Sequence, residues 1–155
     1  MSDDRYLVLE GLHRRFGDVA AVDGVSLALR RGEVLALLGP SGSGKTTLLR
    51  MLAGFEQPDR GRVLLEGEDI TRRAPEQRRF GMVFQHYALF PHLSVGDNVA
   101  FGLESLRFPR AEVARRVPEA LALVDLAGYE QRRVGDLSGG QQPRVALARA
   151  LAYEP

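Results

Sequence analysis

The sequence predicts an α/β fold in which strands dominate the first half and helices the second. Three observations carry this. Val25, Leu27 and Leu29 alternate with Ser26, Ala28 and Arg30, the period-two pattern of a strand with one buried face. Val34 to Leu38 is a continuous apolar run ending in Gly39-Pro40, as expected of a strand buried on both faces. Beyond Gln85 the spacing turns helical, with Val113, Val117, Leu121 and Val124 on one face.

In chain order, Tyr6 to Glu10 reads as the first strand, Val25 to Leu29 as the second and Val34 to Leu38 as the third. A helix should follow from Lys45 to Ala53 and stop at Gly54, since glycine most easily takes the left-handed cap conformation. Pro58-Asp59-Arg60-Gly61 reads as a turn into a strand at Arg62 to Glu66, and Phe80 to Phe84 as a further short strand. Ser94 with Asp97 three residues later resembles a capping box and starts a helix reaching about Leu106. Pro109 suits the first turn of the next helix. Pro118 lies inside that helix, removes a backbone hydrogen bond and should kink it, at a cost of about 3 kcal/mol if unrelieved. A last helix, from about Gly140 to Ala152, turns Val145, Ala148 and either Leu151 or Ala152 inward. No internal repeat or low-complexity tract interrupts this order.

The 155 residues suit one domain, and 45% apolar with 26% charged residues is an ordinary globular mixture. The 21 basic and 20 acidic residues nearly cancel, so charge makes no case for a nucleic-acid partner, and none is expected. With no Cys there are no disulfides or thiolate metal sites, and a cytosolic location is allowed. The acidic start, Met1 to Arg5, has no apolar stretch behind it and is unlike a signal peptide. Val34 to Leu38 is far too short to span a bilayer, so any membrane link would come through a partner. One compositional detail is sharper: 20 of the basic residues are Arg, and Lys45 is the only Lys.

Lys45 belongs to Gly39-Pro40-Ser41-Gly42-Ser43-Gly44-Lys45-Thr46, which satisfies every fixed position of G-x-x-x-x-G-K-[ST], the Walker A phosphate loop. Average usage produces such a match by chance in about one chain of this length in 200. The setting, a buried strand before and a helix after, makes chance rarer still. The chemistry accounts for the spacing. Glycines let the backbone turn and present successive N–H groups to phosphate oxygens. The helix beginning near Lys45 adds its positive end. The Lys45 ammonium can reach β- and γ-phosphates, and the Thr46 hydroxyl can ligate Mg²⁺; Thr47 continues the same turn. ATP and Mg²⁺ are the expected cofactors. A guanine-specific enzyme would need N-K-x-D, and the only Lys is already in the loop.

A second motif supplies the class. Leu137-Ser138-Gly139-Gly140-Gln141 by itself could be a helix cap, with Ser138 as the capping residue. It lies 92 residues after Lys45, beyond the helical block, and in that order and spacing it resembles the LSGGQ signature of ABC ATPases. The resemblance covers essentially the whole chain. It implies a P-loop NTPase fold of the ABC ATPase type, with an N-terminal β-rich part and an inserted helical subdomain, incomplete at the C-terminus. Residues 1–85 and 143–155 would belong to the nucleotide-binding core and 86–142 to the helical subdomain. Phe16, in Arg15-Phe16-Gly17-Asp18, matches the family's adenine-stacking aromatic, although a Phe at a strand end is often core. Gln85, in Met82-Val83-Phe84-Gln85, matches the Q-loop glutamine, implied as a Mg²⁺ and water ligand. Ser138, Gly139, Gly140 and Gln141 would contact ATP held by a second ATP-binding subunit in a head-to-tail dimer. Gln85 to Val95 resembles the importer branch that serves sugars, polyamines, sulfate or ferric iron. There the region cradles a helix of a transmembrane permease subunit at the cytoplasmic face of the membrane.

Two departures stand out. The Walker B strand with its Asp-Glu, the D-loop and the switch His of the family would all follow Pro155. Leu121 to Asp125 and Val63 to Glu66 imitate Walker B but lie before the signature and lack the Asp-Glu pair. The expectation is therefore a chain that binds ATP without hydrolysing it, and whose open apolar strand disfavours solubility. A truncated reading frame and a fragmentary sequence account for this equally. Pro143 and Pro118 are the second departure, the former tolerable in a first helical turn.

Overall fold

In a computed structural model, which describes residues 5–155, β1 (Arg5–Phe16) and β2 (Val19–Arg30) form a long antiparallel hairpin closed by Gly17-Asp18. β3 (Arg60–Leu65) pairs with the other edge of β1, and the short β4 (Glu68–Asp69) with β3, giving an antiparallel sheet in the order β2-β1-β3-β4. β1 and β2 outrun their sequence signal because register shifts between Leu9 and Leu12, and again to Arg15, break the alternation that marks a strand. Against this sheet, α1 (Lys45–Ala53) buries Leu48, Met51 and Ala53. Leu9, Leu12, Val22, Leu48, Met51, Val63 and Ile70 make one core, within a compact unit that ends at Phe80. α1 begins and ends where expected, with Gly54 in the left-handed cap conformation and its N–H on the Met51 carbonyl.

Two expected strands do not form. Val34 to Leu38 and Phe80 to Phe84 carry no strand pairing among the described residues. Val34 and Leu38 are each 92% exposed, the opposite of a strand buried on both faces. An apolar run supplies side chains for a core but not the neighbour whose N–H and C=O groups complete a ladder. Only Leu37 of the run packs partly against the sheet-side core. The expected turn at Pro58 to Gly61 is shorter than its four residues, because Arg60 and Gly61 already belong to β3.

The second unit, Gly81–Pro155, is helical. After the single turn of α2 (Pro75–Arg78) in the first unit, it comprises α3 (Val95–Ser105), α4 (Arg110–Ala122) and α5 (Gln142–Leu151). Val95, Val99 and Leu103 of α3 meet Val117 and Leu121 of α4, and Val145 and Ala148 of α5, with Val124 and Leu126 closing the core. Ala152, not Leu151, completes the inward stripe of α5. The capping box is present: the Asp97 N–H donates to Ser94 Oγ at 3.0 Å, and the Ser94 N–H to the Asp97 carboxylate at 3.3 Å. Pro109 is the residue before α4 rather than its first-turn member.

Pro118 lies inside α4 as expected, on its exposed side. Pro118→Ala restores an N–H for the helix ladder and removes the ring clash, partly offset by a looser unfolded chain. It should stabilise the protein by about 2 kcal/mol, read as a rise in thermal midpoint. No rise would mean that α4 has already absorbed the proline without cost.

Candidate nucleotide site

The loop from Gly39 to Gly44 leads into α1 in the first unit. Gly44 is the N-cap residue, at φ +84°, and no side chain caps the helix. No acidic residue lies in the first turn. The first N–H groups of α1 are thus left without intrahelical acceptors and face no competing anion of their own turn. Gly44 is tightly placed: a Cβ there would sit 1.9 Å from the Ala21 carbonyl oxygen of β2. Gly42 also has positive φ, but nothing lies within 4 Å of its would-be Cβ.

Lys45 turns back over the loop. Its Nζ donates to the Gly39 carbonyl at 2.8 Å, the Pro40 carbonyl at 2.6 Å and Ser43 Oγ at 2.8 Å. The Ser43 N–H closes the turn on the Pro40 carbonyl at 3.3 Å. Gly39, Pro40, Ser43 and Lys45 are thereby gathered around one ammonium. Ser41, Gly42 and Thr46 are exposed and Thr47 is half-buried at the start of α1. The far end of α1 is held by Arg78, which is almost fully buried and donates to the Met51 and Leu52 carbonyls at 2.8 and 2.7 Å. The same guanidinium reaches the Thr71 and Arg73 carbonyls at 2.6 and 2.9 Å. Its pKa is lowered by that burial.

Phe16 ends β1 and is 48% exposed, so it is no core residue; the Arg14 guanidinium lies 4.9 Å from its ring centroid. Arg14 is itself anchored by Glu56 and Asp59, and the Asp59 carboxylate also accepts the Arg15 N–H at 2.8 Å. That N–H and the Arg14 guanidinium hold the Asp59 carboxyl below its ordinary range.

In the second unit, Gln85 is exposed and opens the turn that precedes Leu89. Beyond it, Asn98 is fully buried and staples the Phe90–Ser94 segment, accepting the Phe90 N–H at 2.8 Å and donating to the Phe90 and Ser94 carbonyls at 3.1 and 2.8 Å. Ser138, Gly139 and Gly140 are exposed, and a Cβ on either glycine would meet nothing within 4 Å. The Ser138 hydroxyl does not cap α5, whose N-cap is Gln141 with no side-chain cap bond. Instead the Gln141 side chain accepts the Ser138 N–H at 2.9 Å and donates to the Tyr129 hydroxyl at 3.4 Å. Gln141 thus shapes the turn from within, while Ser138, Gly139 and Gly140 stay open. Pro143 occupies the first turn of α5, where a missing N–H breaks no helical bond. Arg78 and Asn98 escape a reading of the sequence, because nothing in their spacing separates a buried donor from its exposed neighbours.

Residues 22–155 match the family model described as ABC transporter, and the chain belongs to that family. It is 62% identical over 141 residues, 91% of its length, to a spermidine/putrescine import ATP-binding protein of Acidothermus cellulolyticus, of which it covers 37%. It is 52% identical over its whole length to a Fe(3+) ions import ATP-binding protein of Escherichia coli K12, covering 44% of that protein. The chain therefore spans less than half the length of these relatives. Among solved structures it resembles a dimeric ATP-binding cassette in a post-hydrolysis state bound to ADP and Pi, with a TM-score of 0.83 and 32% identity over 96% of this chain and 70% of that one. The P-loop NTPase fold of the ABC ATPase type is thereby established. No helix among the described residues is long and apolar enough to cross a membrane.

Proposed function

We propose that this chain supplies ATP binding to an ATP-driven importer, as the nucleotide-binding part of a subunit that couples ATP binding and hydrolysis to solute passage through a membrane-embedded partner. The observation that carries this reading is the loop itself: an uncapped helix N-terminus, an acid-free first turn and the only Lys of the chain folded over the same few residues. Such a loop, with free N–H groups beside an ammonium, fits a triphosphate. The backbone of Gly39 to Thr47 and the Lys45 ammonium hold the phosphates, and the exposed Phe16 ring offers a face for the adenine. Mg²⁺ would neutralise phosphate charge, and the Thr46 hydroxyl and the Gln85 amide oxygen are hard donors that would suit it. The import function is supported by the two relatives named above as import ATP-binding proteins. A head-to-tail dimer, in which the open Ser138-Gly139-Gly140 turn meets ATP on a second subunit, is supported by that turn's exposure and by the dimeric cassette. The protein would then work at the cytoplasmic membrane face beside permease subunits. In this reading residues 143–155 belong to the nucleotide core and 86–142 to the helical subdomain, although α5 here packs with α3 and α4.

Lys45→Ala tests the reading. Removing the charge-assisted bonds should weaken ATP binding at least about tenfold, or 1.4 kcal/mol, while substitution of an exposed residue such as Arg107 leaves it unchanged. Amine labelling should modify only the N-terminus and Lys45, and ATP should protect the latter. Equal labelling with and without ATP would overturn the nucleotide site.

A further inference from the structure

We propose that Arg149 is a positioning residue for Gln85, holding the turn after that glutamine in a strained conformation from the third turn of α5. This deepens the reading above and rests on it.

The turn is unusual. Tyr87 and Ala88 are consecutive non-glycine residues at φ +60° and +47°. Each L-residue in the left-handed region costs about 1–2 kcal/mol, so two in succession persist only where something outside the turn holds them. The local bonds are few: the Tyr87 N–H reaches the Phe84 carbonyl at 2.9 Å, and the Ala88 N–H the His86 carbonyl at 2.6 Å. The external restraint is Arg149. Its Nη1 donates to the Ala88 carbonyl at 2.7 Å and its Nη2 to the Tyr87 carbonyl at 2.8 Å. Its guanidinium also lies 5.6 Å from the centre of the Phe90 ring. Two adjacent carbonyls, both re-aimed by positive φ, meet the two prongs of one planar fork, a geometry that a single ammonium does not reproduce.

Arg149 stands on α5, which starts at Gln142, directly after the Ser138–Gln141 turn. One ten-residue helix, seated in the core by Val145 and Ala148, therefore joins the turn that carries the signature to the turn that carries Gln85. A shift of α5 along its axis moves both. The arginine is the mechanical link through which the direction of the Gln85 side chain depends on the seating of the signature helix.

The test measures ATP affinity with and without Mg²⁺ for the whole protein, comparing wild type, Gln85→Ala, Arg149→Met and the double variant. The Mg²⁺-dependent increase in affinity should fall by about three- to tenfold in each single variant, the range of one lost polar interaction. The double variant should lose no more than either single, because both remove one unit. Affinity without Mg²⁺ should stay unchanged, and Arg149→Lys should recover only part of the increase. Hydrogen exchange should accelerate at Tyr87 to Leu89 and not within α5. Losses that multiply, an increase untouched by Arg149→Met, or equal losses with and without Mg²⁺ would each reduce Arg149 to a structural anchor and overturn the proposal. If Arg149→Met does not fold, Arg149→Lys carries the same comparison. If Gln85→Ala has no effect while Lys45→Ala does, the proposal fails and the nucleotide site stands; if neither has an effect, the nucleotide reading fails with it.

Discussion

Gly44→Ala is expected to destabilise the protein by about 4 kcal/mol or more, through a backbone collision joined to backbone strain. The added Cβ would lie 1.9 Å from the Ala21 carbonyl oxygen and 3.1 Å from its carbon, so β2 itself has to move. A flexible side chain could swing aside; a paired strand cannot without giving up ladder bonds. Gly42→Ala is the control. Gly42 has a similar φ, +80°, but open space around it, so only the left-handed penalty of about 1 kcal/mol applies. Chemical denaturation of the two variants separates the effects. Equal, small losses would show that the α1 N-terminus does not rest against β2 as closely as described.

Arg78→Met should cost about 3 kcal/mol or more, since each buried acceptor left unsatisfied costs about 1–3 kcal/mol. The buried guanidinium satisfies four carbonyl oxygens: those of Met51, Leu52, Thr71 and Arg73. Methionine fills much of the volume but supplies no donor: the Met51 carbonyl keeps only the Gly54 N–H, and the Leu52, Thr71 and Arg73 carbonyls lose the guanidinium, each orphaned acceptor retaining its desolvation penalty. Two of them close the C-terminal end of α1, where the helix dipole favours a cation. Arg78→Lys should recover only part of the loss, since three donors on one nitrogen do not span four oxygens around a planar fork. Urea unfolding gives the comparison. A neutral Arg78→Met would mean that water takes the guanidinium's place.

What was legible in the sequence follows from range. Lys45 to Gly54 and Ser94 to Asp97 are read correctly because their signals are local: a cap, a period and a stop within a few residues. The Gly39–Thr46 and Leu137–Gln141 motifs make the family legible because their residues stand at fixed spacing. Val34 to Leu38 misled, because an apolar run reports affinity for a core without reporting whether a neighbouring strand exists. The strand signal ends at Glu10 although β1 runs to Phe16, because its bulges cancel the alternation of buried and exposed residues. Arg149 and Gln85 lie 64 positions apart, and no period relates a helix side chain to the carbonyls of a distant turn.

Lys45 carries three N–H donors, and three oxygens of its own loop already take them. On the proposed reading, phosphate binding at this site would be an exchange, not an addition. Each hydrogen bond made to a ligand oxygen replaces one to Gly39, Pro40 or Ser43, so the total on the ammonium stays constant through the event. What changes is the charge of the acceptor, from a neutral carbonyl or hydroxyl to an anionic oxygen, and charge-assisted bonds are roughly twice as strong as neutral ones. The loop would then discriminate by the formal charge of what displaces its own oxygens. A neutral ligand of the same shape would find the lysine already satisfied and would draw almost no affinity from it.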